Sequence, residues 1–270
     1  MKNVLLYFGS FNPIHRGHIA LAEYAIEQRL CDEVILIVSP QNPHKAIIDL
    51  APELLRFEMA ERACAASKYP EKIKPSVIEF MLERPSYTVD TLRYLKENFG
   101  NEMRFSILMG CDLINTLNRW KSPEEILANY PILVYPRKGY QVEQFADRIT
   151  YLDGAPLCDF SSTEVREAVE RGESVERMVP TCVSDLIREK GLYTTAARIA
   201  ALNAAIEQQP DEAEHYLQRG IYHYRANSWG AALNDFRRCL EIDPERQEAQ
   251  QMVEMVHEIL AYRYTDIYNP

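Results

Sequence analysis

The chain has 270 residues, 47% of them apolar, and its 40 acidic against 30 basic side chains give a formal net charge of -10. That length can bury one large core or two smaller ones, and the acidic balance argues against a surface that coats nucleic acid while leaving room for a local basic pocket. No apolar run approaches a membrane span, the short run after the first Lys is no signal peptide, and six scattered cysteines without a C-x-x-C pair read as reduced, mostly packing thiols. A cytoplasmic protein without membrane contact is the expectation.

Val4–Phe8 is an apolar run long enough for a buried strand, and Gly9 and Ser10 end it. Apolar residues then recur at helical spacing (Ile19, Leu21, Ala22, Ala25, Ile26), so a helix over Gly17–Leu30 starts near His15–His18. His15 and His18 share one side of its first turn, and Gly17 between them lets a ligand or backbone come close. A helix N-terminus offers free N–H groups and partial positive charge, so strand, tight loop and helix make a phosphate site with two imidazoles on its rim. A polar surface role for a histidine is the ordinary alternative, and a zinc site lacks a third ligand nearby. Phe8-Gly9-Ser10-Phe11-Asn12-Pro13-Ile14-His15-Arg16-Gly17-His18 resembles the G-x-F-x-P-x-H-x-G-H signature of the HxGH nucleotidyltransferase superfamily, which moves a nucleotidyl group from a nucleoside triphosphate and releases pyrophosphate.

Glu33–Ser39 is apolar almost throughout, as in a parallel strand buried on both faces. It runs into Pro40-Gln41-Asn42-Pro43-His44-Lys45, which puts basic groups at a strand's C-terminal end, where open parallel sheets bind ligands. This segment resembles P-x-x-P-H-K of the nicotinate-nucleotide adenylyltransferases, and makes Lys45 a phosphate contact rather than a solvated loop lysine. A helix is expected over Pro52–Ser67 with Leu54, Leu55, Met59, Ala60 and Ala63 on one face, and a strand over Ile73–Ile78. Ser86-Tyr87-Thr88-Val89-Asp90-Thr91-Leu92 then leads into another helix, with Ser86 or Thr88 as its cap and Asp90 near its positive end. The same run resembles the family's S-Y-T-x-D-T-L motif, which lies against the pyridine nucleotide and separates this branch from phosphopantetheine adenylyltransferases.

After a strand over Arg104–Met109, Gly110 permits close approach of an adenosine and Asp112 can accept from ribose hydroxyls. Cys111 stands where the family has Ala, and nothing near it in sequence activates it as a nucleophile. Trp120, in a polar loop, is either core or a stacking platform for a flat ring; the resemblance gives it the nicotinate ring. A fifth strand over Pro131–Tyr135 leaves through Arg137, which matches an Arg of the family, and Ile149–Leu152 is a short sixth. Ser161-Ser162-Thr163-Glu164-Val165-Arg166 caps another helix with Ser161 or Ser162 and sets Arg166 one turn in, either a surface Arg or a phosphate fork. With Phe160 it resembles I-S-S-T-x-x-R, the second signature of the superfamily. A helix over residues 179–193 closes this part. No redox dinucleotide motif, P-loop or Ser-His-Asp order is present.

Residues 194–270 contain no Lys and read as amphipathic helix broken at Pro210 and Pro244, 34 residues apart. Tyr216, Gly220, Ala232, Phe236 and Pro244 resemble the tetratricopeptide pattern, with His223 and Arg219 as departures. The small residues let two helices pack closely and Phe236 fills the seam. So short an array is marginal alone and is expected to lean on the rest of the chain or a second copy; a protein partner, self-association or structural support all fit.

The resemblance spans roughly residues 2–193. It implies an α/β fold, a doubly wound parallel Rossmann-like sheet, followed by a small all-α tetratricopeptide-like domain, with domains at 1–193 and 194–270. The implied reaction joins ATP and nicotinate mononucleotide into nicotinate adenine dinucleotide and pyrophosphate, in NAD synthesis. The implied catalytic residues are His15, His18, Lys45 and Arg166. Gly9, Ser10, Phe11, Gly110, Asp112, Ser161, Ser162 and Thr163 join the histidines and Arg166 on ATP. Lys45, Ser86, Tyr87, Thr88, Trp120 and Arg137 take nicotinate mononucleotide. Magnesium rides on the ATP phosphates, and no metal ligand of the protein is expected. An adenylyltransferase for another phosphate monoester, such as phosphopantetheine, and an inactive nucleotide-binding scaffold acting through the helical tail are the alternatives.

Overall fold

A computed structural model describes residues 1–40 and 50–265. The chain divides into two compact units, Met1–Lys190 and a second from Gly191 onward. The first is built on six parallel strands: β1 (Lys2–Gly9), β2 (Glu33–Val38), β3 (Ile73–Ser76), β4 (Met103–Gly110), β5 (Ile132–Tyr135) and β6 (Thr150–Tyr151). Their order is β3-β2-β1-β4-β5-β6. The chain steps outward from β1 to β3, then crosses back to lay β4 on the other side of β1, pairing Leu6 with Ile35 on one edge and Ile107 on the other. That reversal between β1 and β4 is a topological switch point, where the loops leaving the two strands diverge and open a crevice. It is the doubly wound, Rossmann-like architecture expected.

Strands buried on both faces need helices on both faces, and their apolar runs meet that need: Val4, Leu5, Leu6 and Tyr7 are all buried. The layers comprise α1 (Arg16–Glu27), α2 (Glu53–Ala65), α3 (Thr88–Phe99), α4 (Cys111–Ile114), α5 (Pro123–Asn129), α6 (Ser162–Glu170) and α7 (Thr181–Lys190). One core joins Val4, Leu6, Ile107 and Val134 of the sheet to Val89, Leu92 and Leu95 of α3.

Two sequence expectations shift. The strand expected over Ile73–Ile78 ends at Ser76, and Ile78–Phe80 is a 3-10 turn. Leu54 does not belong to the apolar face of α2; it is 68% exposed, and Arg56 is fully buried beside Met59 and Ala60 on that face. Arg56 donates to the carbonyls of Ser10 (2.7 Å), Ser39 (2.6 Å), Pro40 (2.7 Å) and Ala51 (2.9 Å). A delocalised fork of donors can satisfy several carbonyls at once, so this cation ties the ends of β1 and β2 to the start of α2.

The second unit contains α8 (Thr195–Gln208), α9 (Ala213–Arg225), α10 (Trp229–Ile242) and α11 (Gln247–Thr265). Tyr216, Leu217, Ala232, Phe236 and Val256 share its core. A Cβ on Gly220 would stand 2.5 Å from the Phe236 ring, so α9 and α10 approach closely only because residue 220 is Gly. Arg219 reaches the buried Asp235 with both Nε (2.9 Å) and Nη2 (2.6 Å) and donates to Asn203 (2.8 Å), linking α8, α9 and α10. Among the described residues no helix is long and apolar enough to cross a membrane.

Candidate active site

The β1–α1 loop folds back on itself. Phe11 takes a left-handed backbone (φ 43°) that lays its ring against Gly9, where a Cβ would come within 3.0 Å. Asn12 accepts from the Ala51 N–H at 3.0 Å. His15 is the N-cap of α1: its Nδ1 accepts from the Gly17 N–H, and His18 Nδ1 reaches back to the His15 N–H, both at 3.1 Å. This is a reciprocal capping box built from two imidazoles. The rings stack with centroids 3.6 Å apart, flanked edge-on by Phe160 and Phe11 respectively. Burial, and then the charge of Arg137, lower the His15 pKa to about 3. With both Nδ1 atoms accepting, each ring carries its proton on Nε2.

The second signature meets the first here. Ser161 caps α6 in a box with Glu164. Ser162 Oγ donates to the Pro13 carbonyl at 2.9 Å; Arg166 donates to the Asn12 carbonyl at 2.9 Å and to Thr163 Oγ1 at 3.3 Å. Arg166 is therefore no solvated surface residue: it grips the β1–α1 loop. Gly17 is needed for the chain's own packing, because a Cβ there would stand 2.5 Å from Cys158 Sγ, in the segment that leads into α6.

A cleft of about 400 Å³ opens at this junction, its walls including His15, His18, Asp112, Arg137, Ser161 and Glu164. Gly110 ends β4 and Asp112 lies in α4, with its Oδ1 3.6 Å from Arg137 Nε. Burial opposes the charge on Arg137, but Tyr135, Asp112 and Tyr7 outweigh it and its pKa rises. Cys111 is fully buried and accepts from the Arg137 N–H at 3.1 Å, so it shapes the turn that carries Arg137. Arg137, expected with the mononucleotide, shares this cleft with Asp112 and the histidines. Gly9, Ser10, Phe11, Gly110, Ser162, Thr163 and Arg166, expected on ATP, are not among its lining residues, and Ser10 gives its carbonyl to Arg56.

Ser86, Tyr87, Thr88 and Trp120 are not among those lining residues. Neither Ser86 nor Thr88 caps α3: Tyr87 holds the N-cap position without a side-chain cap bond. Ser86 instead donates to Glu79 at 3.0 Å, as does Thr91 on the other carboxylate oxygen. The buried Glu79 has its pKa raised by burial, a rise that hydrogen bonds from Ser39, Thr91 and Ser86 oppose. Lys121 bonds Asp90 at 2.7 Å and stands 4.8 Å over the Tyr87 ring, which brings the Trp120 loop beside the Ser86–Thr88 turn. Trp120 packs partly against the core and donates to Thr116 Oγ1 at 3.3 Å. Lys45 lies outside the described residues.

A family model described as cytidylyltransferase-like matches residues 6–168. The chain belongs to that nucleotidyltransferase family. It is 38% identical over 192 residues to the "Probable nicotinate-nucleotide adenylyltransferase" of Flavobacterium johnsoniae, covering 70% of this chain and 97% of the relative. It is 40% identical over 185 residues to the protein of the same description from Bacteroides thetaiotaomicron, covering 68% and 90%. Among solved structures, a Plasmodium falciparum nicotinic acid mononucleotide adenylyltransferase complexed with NaAD shares the fold, with a TM-score of 0.61 at 19% identity over 72% of this chain and 98% of that one.

Arg56, Glu79, Tyr7 and Tyr135 support the site and escaped the sequence reading. Arg56 did carry a signal, a charge falling on the stripe of Met59, Ala60 and Ala63. Glu79, in a short turn after a strand, carried none.

Proposed function

We infer that the chain is a nucleotidyltransferase that moves the adenylyl group of ATP to nicotinate mononucleotide, giving nicotinate adenine dinucleotide and pyrophosphate. The observation that carries this reading is the clamp of Ser162 and Arg166 on the Asn12–Pro13 backbone, which joins both signature segments at one cleft. The 38% and 40% identical relatives support the choice of acceptor.

A mononucleotide phosphate oxygen forms a bond to the α-phosphorus of ATP in line as the bond to the bridging oxygen breaks, and pyrophosphate leaves with that electron pair. The protein's work is alignment and charge stabilisation. The Nε2–H groups of His15 and His18 donate to α- and β-phosphate oxygens, His18 carrying more of the transition-state charge. The Gly9–Phe11 backbone and the α1 N-terminus add fixed dipoles. Arg166, with Ser161, Ser162 and Thr163, and Lys45 hold the β- and γ-phosphates; Asp112 over Gly110 takes the ribose. On the acceptor side, Ser86–Thr88, Trp120, Lys45 and Arg137 take nicotinate mononucleotide, with the indole as a stacking surface. Magnesium fits as the counter-ion of the triphosphate, held by phosphate and water. No group of three or more His, Cys, Asp or Glu side chains among the described residues is placed to hold it alone.

Residues 1–193 form the catalytic domain in this reading and 194–270 a tetratricopeptide-like domain for a protein partner or self-association, in the cytoplasm; the Gly220–Phe236 fit supports the repeat. Pyrophosphate release with ATP and Mg²⁺, given nicotinate mononucleotide, nicotinamide mononucleotide or 4′-phosphopantetheine, tests the reaction. Release with the first is expected. Release with phosphopantetheine alone moves the enzyme to the sister branch, and none with any acceptor leaves the scaffold reading.

A further inference from the structure

Ser161 and Glu164 both line the cleft, and there they hold each other. Glu164 Oε2 accepts from the Ser161 backbone N–H at 2.6 Å and from the Ser161 hydroxyl at 2.8 Å. Ser161 Oγ accepts the Glu164 N–H in return at 3.3 Å. A box of this kind stabilises a helix start. It also spends, on one carboxylate oxygen, two donors that a phosphate oxygen takes at a helix N-terminus. Arg166, one turn on, directs its guanidinium to the Asn12 carbonyl and to Thr163 Oγ1. The wall that meets the β- and γ-phosphates in the proposed reaction therefore carries a negative charge already seated on phosphate donors.

That seat is reversible. Glu164 is exposed, so water solvates the carboxylate whether it holds Ser161 or lets go, and an exposed charged contact is weak. A triphosphate brings several negative charges and finds further donors in His15 and His18 on the same walls. It can take Ser161 from Glu164, but its net affinity is lowered by the contact that the carboxylate gives up and by the repulsion between the two anions. Pyrophosphate meets the same competition. Position 164 is open in the signature that residues 160–166 resemble, so the carboxylate is this chain's own feature.

We infer that Glu164 is an internal competitor for the phosphate donors at the α6 N-terminus. Its carboxylate occupies Ser161 in the empty site, yields it to the triphosphate, and reclaims it as pyrophosphate leaves. Glu164 thereby sets the affinity for the phosphate chain and eases product release; it takes no part in bond making. This rests on the reading that the ATP phosphates meet the α6 N-terminus.

The test is Glu164→Gln, whose amide oxygen keeps an acceptor for Ser161 while the charge goes. Calorimetry gives Kd values for pyrophosphate and ATP, each with Mg²⁺, and for nicotinate mononucleotide, in wild type and variant at low and high salt. A thermal melt runs beside it. The variant should bind pyrophosphate and ATP about fivefold tighter, the scale of one exposed charge interaction. The gain should shrink at high salt, and the Kd for nicotinate mononucleotide should stay put. A lower Tm with unchanged Kd values confines Glu164 to capping and overturns the inference. Equal tightening for all three ligands means a general field effect and overturns it too. So does weaker binding that excess Mg²⁺ restores, which makes the carboxylate a metal ligand instead. The Kd arm needs no turnover: absent pyrophosphate release defeats the proposed reaction, while an unmoved pyrophosphate Kd in a protein that binds ATP defeats the competition alone.

Discussion

Ser162 donates its hydroxyl proton to the carbonyl of Pro13 at 2.9 Å, joining residues 149 positions apart. With Arg166 on Asn12, this bond makes the α6 N-terminus a brace for the loop that presents His15 and His18. Ser162→Ala removes the donor and leaves a part-buried carbonyl wanting, at about 1 kcal/mol of stability. The KM for ATP should rise several-fold with the loosened loop. A thermal melt with ATP titrations checks both; an unchanged KM would confine Ser162 to stability.

His18→Ala should lower turnover at least roughly a hundredfold, the scale of one transition-state contact. The structure adds a second effect. His18 Nδ1 also closes the capping box on the His15 N–H, so the variant should lose about 1 kcal/mol of stability as well. Steady-state kinetics beside urea unfolding separates the two, and near-wild-type turnover would remove His18 from the chemistry.

His15 makes the fold acid-sensitive. Its pKa falls from 6.5 to about 3 on folding because burial, helped by Arg137, penalises the charged ring. Below pH 6.5 the unfolded chain takes up a proton that the native ring refuses. Its contribution to stability is complete above 6.5 and is lost as pH falls towards 3, by up to about 1.4 kcal/mol per pH unit. His15→Asn keeps a capping acceptor without the titration. Lowering the pH from 7 to 5 should lower the urea midpoint of the wild type and change that of the variant less; parallel curves would be the contrary result.

Glu79 holds the Ser86–Thr91 turn from beneath, accepting from Ser86 and Thr91 on separate oxygens at 3.0 Å. Glu79→Gln replaces one acceptor by a donor, so one hydroxyl loses its partner. The KM for nicotinate mononucleotide should rise at least several-fold while the KM for ATP stays put. A rise in both would mean that the turn supports the whole site rather than its acceptor side.

The sequence by itself determined the local units. Val4–Phe8 followed by helical spacing from Ile19 set β1, the loop and α1, because strand and helix periodicities are properties of neighbouring residues. Capping was equally local: Ser161 starts α6 through its own neighbour Glu164. The placing of the histidine pair on the first turn of α1 was legible for the same reason. What only the tertiary structure decided is which distant groups share a space. Arg56 and Glu79 are charges whose value lies in carbonyls and hydroxyls brought from other elements. Leu54 reads as part of the buried face of α2 by its spacing yet faces out, because α2 turns its Arg56 side to the loop ends. Nor does anything near Tyr7 in sequence announce Tyr135; the sheet order β1-β4-β5 leaves one strand between theirs, and their hydroxyls meet across it at 3.2 Å, where a Cβ on Gly110 would press on the Tyr135 ring.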